Sequence, residues 1–146
     1  MAWELAARHT IIDCPEFRWR LHEYRDGEQQ MMFMHLTVHK WSKEVFKRMK
    51  TLWTTFRQVV TCPLYAVHPV EDEKWVAFIA HFGFKHLTEI TCNNGERRTL
   101  FCTVNENNNG RSRQADPDAE RNAAAVAVGS ASEFAAEHLQ SSGLSV

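Results

Sequence analysis

Histidines are the side chains in this sequence with the most direct capacity for metal binding or acid–base chemistry. The chain has eight, of which His35 and His39 are four residues apart and His81 and His86 flank a Gly-Phe pair. A structural zinc site uses compact pairs of Cys or His at short spacing. The four cysteines are widely scattered along the chain: Cys14, Cys62, Cys92 and Cys102. We therefore expect packed or surface histidines and no metal site.

A second arrangement combines a thiol, Cys62, with a nearby base and acid, His68 and Glu71. A nucleophilic thiol needs a lowered pKa, which a helix N-terminus or a neighbouring cation supplies. Cys62 precedes Pro63, at the end of a predicted helix, so no N-terminal dipole stabilises a thiolate there. The sequence favours a reduced structural thiol and predicts no catalytic residue.

Length and composition restrict the partners of this protein. The 146 residues are 44% hydrophobic, which is enough for one domain with a sizeable core. A net charge of −1 gives no electrostatic signature of nucleic-acid or anionic-membrane binding. The sequence has no apolar run of about 18 residues and no signal peptide. We expect a protein made in a cytosol that binds other proteins.

The stretch from Ser42 to Phe84 predicts helix, strand, helix and a glycine turn. Residues 43–60 carry apolar side chains at the spacing of one wide helical stripe, and Ser42 suits the N-cap. Residues 64–67 form a short apolar strand after Pro63. A second helix is predicted to begin near residues 71–73 and to end before Gly83, where a left-handed conformation is favoured.

Strands are predicted on both sides of this unit. Residues 3–14, 17–22 and 31–38 read as three strands, and Asp26-Gly27 is a hairpin signal. Residues 85–92 and 97–104 flank Asn94-Gly95, a stronger hairpin signal, and Arg97-Arg98 is expected on its exposed tip. The predicted order is β-β-β-α-β-α-β-β, a mixed sheet with two main helices in a core domain of residues 1–105.

The composition changes after residue 105. Residues 105–115 are polar and have nothing to bury, so we predict a linker. Asp116-Pro117 begins an alanine-rich helix that Gly129 ends, and residues 130–133 form a capping box for a last short helix. Such short helices are marginal alone in water. We predict that residues 106–146 are an arm that binds a partner through Val126, Val128, Phe134 and Leu139.

The order of these elements, closed by Phe82-Gly83-Phe84 and a hairpin, resembles the C-terminal half of the GNAT acetyltransferase fold. The resemblance covers about residues 17–104 and is closer to small acetyltransferase-like proteins of tailed-phage morphogenesis regions than to a catalytic branch. It implies an α+β fold and acetyl-CoA as the family's cofactor. The phosphates of that cofactor are held by a glycine-rich loop at a helix N-terminus.

The segments that would carry this chemistry differ from the family pattern. The matching loop, residues 38–44, has no glycine, although His39, Lys40, Ser42 and Lys43 offer side chains to a phosphate if the cofactor binds. Ile79 occupies the position of the family's general-acid tyrosine, and isoleucine cannot donate a proton. The alternative to phosphate binding is that the polar residues of the loop are solvated.

We therefore expect a non-catalytic structural or assembly protein of a tailed-phage virion, made in the host cytoplasm and without a cofactor. Its partners would be other virion proteins or copies of itself, bound through the arm. The alternative is that the protein is an enzyme, an active N-acetyltransferase that uses acetyl-CoA. A small phage protein that binds a host partner is a third possibility.

Overall fold

The computed structural model describes residues 3–69, 72–103 and 117–129. These residues form a mixed α+β structure in which one six-stranded sheet is packed with three helices. The strands are β1 (Glu4–Asp13), β2 (Phe17–Asp26), β3 (Gln29–Val38), β4 (Leu64–Pro69), β5 (Phe84–Thr91) and β6 (Arg97–Thr103). The helices are α1 (Lys43–Val59), α2 (Glu73–Ala80) and α3 (Pro117–Gly129). This agrees with the predicted mixed sheet and its two main helices.

The strand order across the sheet is β1-β2-β3-β4-β6-β5. Strands β1, β2 and β3 form an antiparallel meander, and β6 is antiparallel to both β4 and β5. The two halves meet at β3 and β4, which are parallel and pair only at Met32–Leu64 and Phe33–Tyr65. Helix α1 connects these two parallel strands, since a parallel pair requires a crossover.

Local sequence explains the ends of these elements. Ser42 adopts an extended conformation and its Oγ accepts a hydrogen bond from the Val45 amide at 3.1 Å, which caps α1. Gly83 has φ of +81°, a conformation that favours glycine, and it turns the chain from α2 into β5. Gly95, with φ of +87°, forms the turn between β5 and β6.

Helices α1 and α2 cover one face of the sheet. Their buried side chains pack against alternate residues of β2 and β3, among them Trp19, Leu21 and Leu36. Trp53 of α1 is 7% exposed, and its ring centroid lies 5.4 Å from that of Trp19. This aromatic cluster is the larger of the two cores.

Helix α3 packs on the opposite face, which differs from the predicted arm. Ala123, Val126 and Ala127 are buried in one cluster with Ile90, Leu100 and other residues of the sheet. The Asn93 amide donates to the Val128 carbonyl at 3.2 Å, and the Cys92 thiol lies 3.8 Å from the Ala127 carbonyl. Residues 117–129 are thus attached to the core through the β5–β6 hairpin, because the small side chains of α3 allow it to lie close to the sheet.

Candidate functional site

The first candidate site is the junction between β3 and α1, where the sequence placed possible phosphate ligands. His39, Lys40 and Lys43 are exposed, and Ser42 is half-buried. The amides of His39 and Lys40 both donate to the Glu16 carbonyl, at 2.7 and 3.0 Å. Two of the backbone donors that a phosphate would require are therefore used by the protein itself.

The Ser42 side chain is also engaged at this junction. Its Oγ accepts from the Val45 amide, and its carbonyl accepts from the Phe46 amide at 3.0 Å. The structure therefore brings the four predicted residues together at the start of α1, but it uses Ser42 as a helix cap. The side chains of Lys40 and Lys43 are exposed to solvent.

Trp41 connects the junction to the second helix. Its ring centroid lies 5.6 Å from that of Phe46 on α1 and 5.4 Å from that of Phe78 on α2. Phe78 is 1% exposed and continues the cluster to Phe82, at 5.1 Å. Large aromatic side chains thus pack between the first turn of α1 and the last turn of α2.

The second candidate site lies at the carboxyl ends of β3 and β4. Beyond Phe33 and Tyr65 these parallel strands have no paired residues, although β3 continues to Val38 and β4 to Pro69. In sheets with parallel strands, ligands bind preferentially outside the carboxyl ends, where the strands separate. The end of β4 carries His68, a buried residue.

His68 is held between a carboxylate and an indole. Its Nε2 is 2.8 Å from Asp72 Oδ2, and its ring is stacked on that of Trp75 at a centroid distance of 4.4 Å. Asp72 also caps α2, because its Oδ1 accepts from the Trp75 amide at 3.1 Å. Burial opposes ionisation of Asp72, but the hydrogen bonds from His68 and the Trp75 amide hold its pKa below the ordinary value.

An imidazole oriented by a carboxylate is the arrangement of a general base. Trp75 adds a second polar group here, since its Nε1 is buried and has no hydrogen-bond partner within the described residues. The sequence pattern suggested His68 together with Cys62 and Glu71 and not with Asp72. The pair could have been recognised from the spacing of four residues between His68 and Asp72 and from the position of Asp72 at a helix N-cap.

The structure does not show the grouping of thiol, base and acid that the sequence suggested. Cys62 is exposed in the turn before β4, and its carbonyl accepts from Arg57 at 2.9 Å. No contact joins its sulfur to His68 in the described part of the chain, and Glu71 lies outside that part. Tyr65, on the strand between the two helices, is buried with its ring 5.5 Å from that of Phe33. Ile79 is buried in the helix-side core.

The histidines considered for metal binding are dispersed. His35 is stacked on His22, with ring centroids 3.7 Å apart, whereas His39 is exposed. His81 lies against Phe46, and the ring of His86 lies 6.3 Å from that of Phe101. Across residues 3–69, 72–103 and 117–129, no three His, Cys, Asp or Glu side chains form a group that could hold a metal ion.

The predicted partner-binding residues divide into two groups. Val126 is 3% exposed and Val128 is half-buried, both against the chain's own sheet. Phe134 and Leu139 lie outside the described residues. The apolar face of α3 is therefore already covered within the domain, and residues 106–116 and 130–146 of the predicted arm lie outside the described residues.

Comparison with known proteins gives no relative from which a site could be transferred: neither a family model nor a curated protein matches the chain. None of the helices described here is long and apolar enough to cross a membrane.

Proposed function

We propose that the domain is an acetyltransferase-like fold of the GNAT type. The support is the strand order β1-β2-β3-β4-β6-β5 with one parallel pair at β3 and β4. Further support comes from α1 as the crossover between those strands and from the separation of their carboxyl ends. A terminal β5–β6 hairpin with β6 next to β4 completes the likeness.

We infer that this domain is non-catalytic. The observation that carries the inference is the β3–α1 junction, where the amides of His39 and Lys40 are satisfied by the Glu16 carbonyl. A pyrophosphate needs such amides as donors, together with a close approach to the backbone. Trp41 stands at the same junction and packs against Phe46 and Phe78, so binding would require both the hydrogen bonds and the aromatic contacts to rearrange.

The role that remains is structural. We propose that the chain is an assembly protein of a tailed-phage virion, in which α3 anchors a C-terminal arm of residues 130–146 to the core. Phe134 and Leu139 are its large apolar side chains near the anchor. The assignment to a phage particle is based on the resemblance to small acetyltransferase-like phage proteins. The assignment of residues 130–146 as an arm is based on the position of α3, which they follow.

Isothermal titration with coenzyme A and acetyl-CoA tests the loss of cofactor binding. We expect no saturable heat, because the donors for the pyrophosphate are already used. A catalytically active acetyltransferase titrated under the same conditions is the positive control. A dissociation constant in the low micromolar range, equivalent to about −8 kcal/mol, would contradict the proposal.

The assembly role is tested by incorporation of the full-length chain into virus particles. The variant Phe134→Ser/Leu139→Ser should be lost from purified particles, and Val59→Ser/Val76→Ser, which changes two exposed apolar residues of α1 and α2, should be retained. Equal incorporation of both variants would contradict the proposed role of residues 130–146 in assembly.

One observation favours the alternative, an active N-acetyltransferase. The His68–Asp72 pair stands at the separated strand ends beside the Trp75 indole N–H, as a general base would. If acetyl transfer to an amine is detected, His68→Gln should abolish it and the exposed His86→Gln should not. Activity that survives His68→Gln would exclude the pair as its base.

A further inference from the structure

Helix α1 turns one side to solvent, opposite its buried stripe. The buried residues of the helix are Val45, Met49 and Trp53, which belong to the aromatic core. With 3.6 residues per turn, the exposed residues on the opposite side fall within an arc of about 80°. We define the lysine face as these residues: Lys43, Lys47, Lys50, Thr54 and Gln58.

The lysine face carries charge of one sign. Helix α1 contains a single acidic residue, Glu44, which lies about 60° or more around the helix axis from each of the three lysines. Residues 39–50 include five lysines and arginines and one acid, although the net charge of the whole chain is −1. A net charge near zero therefore conceals a local excess of positive charge, and a charged partner is attracted by the local field.

The protein does not neutralise these lysines itself. Its salt bridges are made by arginines and histidines, for example by Arg48 with Glu16 at 2.9 Å. Over the ranges of the chain that the structure describes, no salt bridge involves Lys43, Lys47 or Lys50. Their ammonium groups are thus available to an anion outside the domain.

The composition of the lysine face favours nucleic acid over an acidic protein as that anion. Protein–protein interfaces have an apolar core in which charged residues, lysine among them, are depleted. Interfaces with DNA are more polar and much more positively charged. Every α1 residue within the arc is polar. The Thr54 hydroxyl already donates to the Lys50 carbonyl at 2.9 Å, so the ammonium groups are the main groups that could bind a partner.

The spacing of the lysines suits a row of phosphates. At a rise of 1.5 Å per residue, Lys43 and Lys50 are about 10 Å apart along α1, with Lys47 between them. One strand of a DNA duplex has a phosphate about every 3.4 Å along the duplex axis, so about three phosphates occupy that length. Lysine binds phosphate as a point charge. The lysine face has no arginine or aromatic side chain to read or stack on bases, so such binding would not depend on sequence.

We propose that the lysine face of α1 binds the phosphate backbone of double-stranded DNA without sequence preference. This inference goes beyond the proposed function and relies neither on the loss of catalysis nor on a virion partner. Lys43 also belongs to the β3–α1 junction, where a cofactor phosphate was considered. Lys47 and Lys50 lie about one and two turns farther along the helix, so they test the lysine face separately.

Fluorescence anisotropy of a short labelled DNA duplex, titrated with the whole chain between about 50 and 200 mM NaCl, tests the proposal. With three phosphate contacts, the logarithm of the association constant should fall against the logarithm of the salt concentration with a slope of about −2.7. This slope corresponds to a loss of affinity of about 40-fold over that range. A second duplex of unrelated sequence should bind with equal affinity.

Lys47→Gln/Lys50→Gln should reduce the slope to about −0.9 and weaken binding at about 50 mM NaCl by at least about tenfold, because two of the three contacts are removed. The control Lys74→Gln/Lys85→Gln removes the same charge at exposed positions outside α1 and should keep the slope of the parent. Glutamine and lysine have similar helix propensities, and circular dichroism checks that both variants are folded.

Absence of saturable binding with a dissociation constant of about 100 μM or tighter at about 50 mM NaCl would overturn the proposal. Equal slopes in Lys47→Gln/Lys50→Gln and in the control would also overturn it, since the contact would then lie elsewhere. Displacement of the duplex by poly-L-glutamate as effectively as by unlabelled duplex, at equal charge concentration, would indicate an acidic protein partner and overturn the choice of DNA. Titration with coenzyme A and incorporation into particles are separate readouts, so this proposal and the proposed function can fail independently.

Discussion

His35 is a histidine held where protonation is unfavourable. Burial, together with the nearby charges of His22, Arg20 and Arg8, lowers its pKa to about 2. In the unfolded chain the imidazole has its ordinary pKa of about 6.5. Between these two values the unfolded state binds a proton that the native state does not, so acid favours unfolding.

We predict that the free energy of unfolding falls as the pH decreases below about 6.5, with His35 contributing about 1.4 kcal/mol per pH unit. His35→Leu removes this titration and should make the decrease shallower. Urea unfolding at several values between pH 6.5 and 4.5 measures the slope. His39→Leu, at an exposed position, is the control for the loss of a histidine, and a slope in His35→Leu equal to that of the parent would contradict the prediction.

At the scale of elements, α2 is a helix of eight residues that depends on its N-terminus. Asp72 connects it to β4 through His68 and caps it through the Trp75 amide. A helix this short has little intrinsic stability, so its cap and its buried face, Trp75, Phe78 and Ile79, hold it in place.

Asp72→Ala should lower the free energy of unfolding by about 1 kcal/mol through loss of the cap, and His68 would also lose this hydrogen bond. Asp72→Asn should cost less, because asparagine retains an oxygen that accepts from the Trp75 amide. Glu73→Ala, at an exposed position of the same turn, is the control. Chemical denaturation measures all three, and equal stability of Asp72→Ala and Glu73→Ala would mean that the cap does not support α2.

At the scale of the whole molecule, the sheet separates two cores. The aromatic cluster under α1 and α2 lies on one face, and a smaller cluster of Tyr24, Phe33, Leu100 and the α3 residues lies on the other. Helix α3 therefore contributes to the folded domain, although the sequence assigned it to an arm beyond residue 105.

Val126→Asp tests this contribution, because it places a carboxylate at a position that is 3% exposed. We expect a loss of at least about 2 kcal/mol, since the charge has no partner in the apolar cluster. Ala125→Asp adds the same charge at an exposed position of the same helix and should change stability by less than about 0.5 kcal/mol. Thermal melts in which the two variants coincide would show that α3 does not stabilise the core.

The sequence by itself determined the features that depend on near neighbours. The Ser42 cap, the apolar stripe of α1, the Gly83 turn and the Asn94-Gly95 hairpin were all predicted, because a few adjacent residues fix each of them. The order of elements then led to a mixed sheet. The lack of glycine at residues 38–44 was also visible.

Arg98 shows what a local pattern does not reveal. The sequence placed Arg97-Arg98 on an exposed tip, and Arg97 is exposed, but Arg98 is 1% exposed and its guanidinium binds Glu96. On β6, Arg98 points to the same face as Leu100, under the cluster that α3 covers. Its burial depends on which element packs over the strand.

Only the tertiary structure decided the features that join distant parts of the chain. The Glu16 carbonyl that occupies the amides of His39 and Lys40, the contact of Trp41 with Phe78, and the stack of His22 on His35 all depend on how separate elements meet. The position of α3 belongs to the same group. Residues 117–129 are only weakly apolar, and their small side chains gain stability from a complementary surface on β5 and β6 that no local pattern specifies.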